Sequence, residues 1–78
     1  MRIGIVGAGR IGGNAARLFA RAGHELVVSY SRDQQKLERL ASEIGARSGT
    51  PREAAQFGEV VMLAVPWSFV DEALEAAG

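Results

Sequence analysis

The sequence predicts an α/β fold, in which a parallel sheet carries helices on its faces. Segments typical of strands and of helices alternate four times along the 78 residues. A glycine-rich turn separates the first strand from the first helix. Residues 60–65 are apolar throughout, which is typical of a strand covered on both faces. Four strands are about the first half of a doubly wound sheet, so the predicted fold is a truncated one.

The first half of the chain predicts two strand–helix pairs. Residues 3–6 are short, apolar and rich in β-branched side chains, which indicates a buried strand. The helix after it ends at Gly23 and is indicated by four residues at helical spacing, Ile11, Ala15, Leu18 and Ala22. Residues 25–30 predict the second strand. Asp33 precedes a second helix that ends at Gly45 and has one apolar face, formed by Leu37, Leu40, Ala41 and Ile44.

The second half predicts two shorter pairs. Residues 46–48 indicate a brief third strand, and Thr50, Pro51 and Glu53 indicate a capped helix start. That helix ends near Gly58, and the fourth strand, residues 60–65, ends at a proline. Ser68 and Asp71 predict a second capping box at the start of the last helix. We expect two aromatic side chains in the core, Phe57 and Phe69.

Composition excludes several classes of function. The net charge is zero, so the chain has no field that would attract nucleic acid or an anionic membrane. There is no cysteine and only one histidine, which excludes disulfides, thiolate metal sites and histidine metal sites. No segment approaches the roughly 20 apolar residues of a membrane span. We therefore expect a cytoplasmic domain whose partner is a small molecule.

The glycines after the first strand predict a dinucleotide site. Gly7, Gly9 and Gly12 fit G-x-G-x-x-G, and they follow a predicted strand and open a predicted helix. The first glycine allows the tight turn, the second lets a pyrophosphate approach the backbone, and the third lets the helix pack closely. This context indicates a Rossmann-type fold that binds a dinucleotide. The alternative is a glycine turn that serves only compact packing.

Residues 7–12 are expected to hold the pyrophosphate, and they include Ala8, Arg10 and Ile11. Arg10 lies in the first turn of the helix, where a cation opposes the helix dipole. A phosphate bound nearby would attract the Arg10 side chain and would offset this unfavourable electrostatic free energy. The alternative interpretation of Arg10 is a solvated surface side chain.

The end of the second strand favours NADP over NAD. NAD-binding folds usually place an acidic residue there for the ribose 2′-hydroxyl, but residues 26–32 contain none. Ser31 and Arg32 would bind a 2′-phosphate, and Lys36, one turn into the next helix, adds charge. Asp33 is the competing candidate for a ribose contact, but its position favours an N-cap role.

Three stretches together resemble the N-terminal NADP-binding domain of the deazaflavin (coenzyme F-420)-dependent NADP reductases: RIGIVGAGRIGGNAARLFARAGHELVVSYSRD, KLERLASEIGA and EAAQFGEVVMLAVPW. Pyrroline-5-carboxylate reductases share a similar domain. The resemblance implies that Ser31 and Arg32 hold the 2′-phosphate and that the turn formed by Ala64, Val65 and Pro66 lines the cofactor cleft. It also implies direct hydride transfer between NADPH and a second substrate, such as coenzyme F-420, without a catalytic residue in this chain.

The sequence departs from the family in its extent. Family members carry further strands and a second domain, so we expect residues 1–78 to be an incomplete NAD(P)-binding domain of a longer oxidoreductase. Two alternatives stay open: a non-catalytic dinucleotide-sensing or interaction module, and a fragment of a pyrroline-5-carboxylate reductase-like or hydroxyacid-dehydrogenase-like enzyme. An open sheet edge in so short a chain also favours a homo-oligomer.

Overall fold

A four-stranded parallel sheet organises the chain, with strand order β3-β2-β1-β4. The computed structural model describes residues 1–31, 33–65 and 67–78; Arg32 and Pro66, and the side chain of Trp67, lie outside that description. The elements are β1 (Arg2–Val6), α1 (Arg10–Arg21), β2 (Glu25–Ser29), α2 (Gln34–Ile44), β3 (Arg47–Ser48), α3 (Pro51–Phe57), β4 (Val60–Leu63), a 3₁₀ turn (Trp67–Phe69) and α4 (Val70–Ala77). The predicted fold class is confirmed.

The register brings three loops to one edge of the sheet. Val6, the last residue of β1, lies beside Ser29 of β2 and Leu63 of β4, and both pairings are parallel. The carboxyl ends of these strands therefore meet. The chain runs outward from β1 to β2 and β3 and then crosses to β4 on the other side of β1. That reversal creates a crevice where open α/β sheets bind ligands.

The core consists of two layers, one on each face of the sheet. Side chains of a strand alternate between the faces, so Ile3 and Ile5 point to one layer and Val6 to the other. The first layer is closed by α1 and α2, with Leu37, Leu40 and Ala41 buried as predicted. The second layer is closed by α3 and α4, through Ala54 and Ala73.

Strand β4 differs from its prediction. It ends at Leu63 rather than at residue 65, and it is not covered on both faces, because Val60 is 48% exposed and Val61 44%. The reason is its place at the edge of the sheet, where it pairs with β1 alone. Helix α3 packs mainly on β1 and β2 and leaves β4 open. An apolar run thus indicated the strand correctly but not its burial.

Two helix predictions also need correction. Helix α1 buries Gly12, Gly13 and Ala16, whereas the predicted spacing residues Ile11 and Leu18 are exposed. The helix turns its small residues inward because it packs closely against the loop after β1. The predicted second capping box is wrong, since α4 begins at Val70 after a 3₁₀ turn and has no side-chain cap.

The start of α3 is a complete capping box, as predicted. The backbone N–H of Thr50 donates to Glu53 Oε1 at 2.9 Å, and the N–H of Glu53 donates to Thr50 Oγ1 at 3.1 Å. Hydrogen bonds from the Thr50 backbone and then from its side chain lower the pKa of the Glu53 carboxyl, and the charge of Arg47 adds to this effect. The first turn of α3 is therefore stabilised by an ionised glutamate.

This lowered pKa predicts a loss of stability in acid. A carboxyl whose pKa is lower in the folded state stabilises the fold above its ordinary pKa of 4.5, and that contribution is lost as the pH falls through the folded pKa. Glu53→Gln should be less stable than the wild type at pH 7 and should converge with it at low pH. Urea unfolding across this range measures the difference. The control is Glu38→Gln, an exposed glutamate of α2; the same convergence in that variant would contradict the assignment.

Candidate functional site

A cleft opens at the carboxyl edge of the sheet, between the loops that follow β1, β2 and β4. Its volume is about 550 Å³. It is lined by Gly7, Ala8, Gly9, Tyr30, Ser31, Asp33, Lys36, Ala64, Val65, Phe69 and Glu72. Seven of the residues predicted from the sequence therefore meet here, although they come from three separate loops and the first turn of α2. Arg32 and Pro66 belong to the same predictions and lie outside the described residues.

The turn after β1 is held by both neighbouring strands. Gly7 has a φ of 111°, and a Cβ at this position would overlap the carbonyl group of Ala64. Its N–H donates to the Ser29 carbonyl at 2.8 Å, and the N–H of Ala8 donates to the Tyr30 carbonyl at 3.2 Å. Only glycine satisfies both the positive φ and the close approach. The tight turn expected of the first glycine is therefore present.

Gly9 and Gly12 have different surroundings. A Cβ on Gly12 would overlap the Gly7 carbonyl oxygen and would lie 3.3 Å from the Ala64 Cβ, so this glycine lets α1 pack on the loop. A Cβ on Gly9 would meet no described atom within 4 Å. No packing within the described chain requires a glycine at position 9. No described atom fills the space beside Gly9, as close approach of a ligand to this backbone would require.

The N-terminus of α1 is chemically suited to an anion. Gly9 is the N-cap, no side chain caps the helix, and its first turn contains no acidic residue. The first N–H groups of a helix have no partner inside it, and they carry the positive end of the helix dipole. Arg10 and Ile11 carry two of these backbone groups, although neither residue is part of the lining of the cleft. Ile11 is 74% exposed.

The end of β2 carries an unusual backbone. Ser29 is buried, and its hydroxyl donates to the Ile5 carbonyl at 2.8 Å. The strand ends there rather than at Tyr30, because Tyr30 adopts a φ of 64°, the left-handed region that non-glycine residues rarely occupy. Such conformations cluster at functional sites. Tyr30 is partly buried and packs against the second core layer.

Ser31 and Asp33 form the turn into α2. The Ser31 hydroxyl donates to the Asp33 carbonyl at 3.1 Å and accepts from the Asp33 N–H at 3.2 Å. Asp33 accepts from the N–H groups of Gln35 and Lys36, at 3.0 and 3.2 Å. The N-cap role predicted for Asp33 is confirmed, and its carboxylate is engaged by the helix that it caps.

A second cavity of about 580 Å³ lies beside the cleft, between α1 and α2. Arg10 lines this cavity together with Arg39, and Lys36 lines both cavities. Sequence reasoning did not single out Arg39. The spacing in the sequence could have indicated Arg39, because it follows Lys36 by three residues and therefore lies on the same face of α2.

Two cleft residues had no sequence signal for their role. Nothing in the local sequence indicates the left-handed backbone of Tyr30. Phe69 was expected in the core and instead lines the cleft, because the 3₁₀ turn before α4 brings it there. Phe57 packs against the second core layer as predicted.

The described residues were compared with the requirements of a metal-ligand cluster and of a membrane-spanning helix. Among the described residues, no three carboxylate or imidazole side chains come together as metal ligands. None of the helices in residues 1–31, 33–65 and 67–78 has the length and apolar character needed to cross a bilayer.

The family described as NADP oxidoreductase, coenzyme F420-dependent, matches residues 2–77. The chain belongs to that family. Membership makes it part of an oxidoreductase family, and it agrees with a cleft whose glycine turn and helix N-terminus suit a dinucleotide cofactor.

One relative extends the comparison. An uncharacterized oxidoreductase of Bacillus subtilis (strain 168), YfjR, is 40% identical over 62 residues. The match covers 80% of this chain and 21% of the relative, so this family member spans about a fifth of the protein that it matches. No solved structure matches the chain.

Proposed function

We propose that this chain binds NADP(H) in the cleft, as the cofactor-binding part of an NADP-dependent oxidoreductase. The observation that carries the proposal is the uncapped N-terminus of α1 behind Gly9, where a Cβ would meet no described atom. A pyrophosphate needs this combination of free N–H groups, a positive helix end and close approach to the backbone. Membership of the family supports the dinucleotide class.

Each part of the cofactor has residues suited to it. The pyrophosphate binds the N–H groups that begin α1, at Gly9, Arg10 and Ile11, while Gly7, Ala8 and Gly12 shape the turn. Ala64 and Val65 form the wall of the cleft after β4. Pro66 follows them in the sequence and belongs to the same proposed contact with the cofactor. The 2′-phosphate binds Arg32 and Lys36, which are cationic donors, and Ser31, whose single hydroxyl hydrogen would turn from the Asp33 carbonyl to the phosphate.

Bound NADPH would supply a hydride for direct transfer to a second substrate. The family description supports coenzyme F-420 as that substrate. The residues of this chain bind and orient the cofactor. We infer that residues 1–78 act within a longer oxidoreductase, since the match covers 21% of the relative.

Calorimetric titration of the purified chain with NADPH, and separately with NADH, tests the proposal. We expect NADPH to bind and NADH to bind more weakly, because NADH has a hydroxyl where NADPH has a phosphate. Circular dichroism of the same sample establishes that the chain is folded. A folded chain that binds neither cofactor would overturn the proposal.

Arg32→Asp should weaken NADPH binding at least about 10-fold and leave NADH binding equal or stronger. The substitution removes a cation from the end of β2 and adds a carboxylate that repels the 2′-phosphate and accepts from a ribose hydroxyl. The control is Arg52→Asp, an exposed arginine of α3 that changes the net charge equally. Unchanged affinity for both cofactors would contradict the role of Arg32.

A further inference from the structure

The second cavity, which forms a groove between α1 and α2, is strongly basic. It has a volume of about 580 Å³, and four cationic side chains line it, two from each helix: Arg10, Arg17, Lys36 and Arg39. Glu43 is the acidic residue in its lining. Such a concentration of cations stands out in a chain whose net charge is zero.

The charge is unevenly distributed along the groove. Arg17 donates to Glu43 Oε2 from Nε at 3.2 Å and from Nη2 at 3.1 Å, so these two side chains neutralise each other. Arg10, Lys36 and Arg39 make no ion pair within the described part of the chain. The positive charge therefore gathers at the end of the groove nearest the glycine turn.

Two of these cations lie where a helix disfavours them. Arg10 is the first residue of α1, and Lys36 is the third residue of α2. Cations near a helix N-terminus oppose the helix dipole. Arg39 lies one turn further along α2, on the same face as Lys36. A bound anion would offset this repulsion.

The groove continues directly from the cleft. Ala8, Gly9 and Lys36 line both cavities. A dinucleotide with its pyrophosphate beside Gly9 can therefore direct a second anionic group past Gly9 into the groove. Only NADP carries such a group, since NAD has a hydroxyl in its place.

We propose that Arg10 and Arg39 extend the 2′-phosphate site through Lys36, which lines both cavities, into a subsite in this groove, and that Arg39 adds to the preference for NADP over NAD. The subsite takes the 2′-phosphate, so the inference rests on the proposed function. It also changes the role of the Arg10 side chain, which serves the 2′-phosphate, whereas its backbone N–H serves the pyrophosphate. Planar guanidinium groups bind phosphate in a bidentate manner, which gives strong discrimination against a hydroxyl.

The test is Arg39→Gln, titrated with NADPH and with NADH. We expect the dissociation constant for NADPH to rise about 10-fold, the effect of losing one charge-assisted hydrogen bond, and that for NADH to stay unchanged. Arg39→Lys should recover part of the loss, since lysine keeps the positive charge but lacks the planar guanidinium that binds phosphate through two hydrogen bonds. Arg39 is exposed, so the variants should fold.

The matched control is Arg21→Gln. It makes the same charge change at an exposed position, about 16 Å from Arg10 along the axis of α1. Titration with 2′,5′-ADP and with 5′-AMP isolates the subsite, because these probes lack nicotinamide and differ at the 2′-phosphate. Arg39→Gln should lower the affinity for 2′,5′-ADP and leave the affinity for 5′-AMP unchanged.

The outcomes separate the inference from the proposed function. A folded wild type that binds neither NADPH nor NADH overturns both. In a second outcome, the wild type prefers NADPH while Arg39→Gln lowers the affinity for both cofactors equally, or for neither. That result overturns the subsite and leaves the proposed function standing. An equal loss in Arg21→Gln would show a general charge effect and would also overturn the subsite.

Discussion

Gly12→Ala is expected to lower the free energy of unfolding by about 3 kcal/mol, near the upper end of overpacking costs. The added methyl group would overlap the carbonyl oxygen of Gly7, and it would press on Ala64 Cβ at 3.3 Å. The first obstacle is a backbone atom, which cannot turn aside as a flexible side chain does. Helix α1 would have to move away from the loop that holds the glycine turn.

Such a loss is large for this chain. At about 0.05–0.15 kcal/mol per residue, 78 residues have a total stability of roughly 4–12 kcal/mol. Urea unfolding followed by circular dichroism measures the change. The matched control is Gly13→Ala, where the new Cβ would lie 3.7 Å from Arg17 Nη1, an ordinary contact. That variant should gain about 0.5–1 kcal/mol. Equal effects of the two substitutions would contradict the close packing of α1.

Gly9→Ala should lower the affinity for NADPH and for NADH equally, by at least about 10-fold. The added methyl group blocks hydrogen bonds from the backbone to a charged pyrophosphate. Its Cβ meets no described atom, so the fold accepts it. Alanine is a poorer N-cap than glycine, and the free energy of unfolding should change by less than about 1 kcal/mol. The loss of affinity without a loss of stability is the signature of a ligand that approaches this backbone.

Calorimetric titration and urea unfolding of the same Gly9→Ala sample provide both measurements. Gly13→Ala serves again as the control for the unfolding measurement, since it adds a methyl group to the same helix. Gly13 lines the groove, so this variant is not the control for NADPH affinity. Unchanged affinity would mean that the pyrophosphate binds elsewhere. The loss of affinity for both cofactors also distinguishes Gly9 from Arg32 and Arg39, whose substitutions should weaken the binding of NADPH but not that of NADH.

Local patterns predicted much of this molecule. Thr50 and Glu53 indicated a capping box, and the structure contains both of its hydrogen bonds. The apolar spacing of α2 indicated the face that is buried, and Asp33 indicated its N-cap. Each of these signals depends on residues within a few positions of one another, whose geometry the backbone of a single helix determines.

The sequence by itself determined the order of strands and helices, the family, and the glycine turn between β1 and α1. The tertiary structure decided that β4 is an exposed edge, that α1 turns Gly12 rather than Ile11 inward, and that Arg10 and Arg39 share a groove. These features depend on contacts between segments that are distant along the chain. Periodicity within one segment indicates an element, but only packing against its neighbours decides which side of that element is covered.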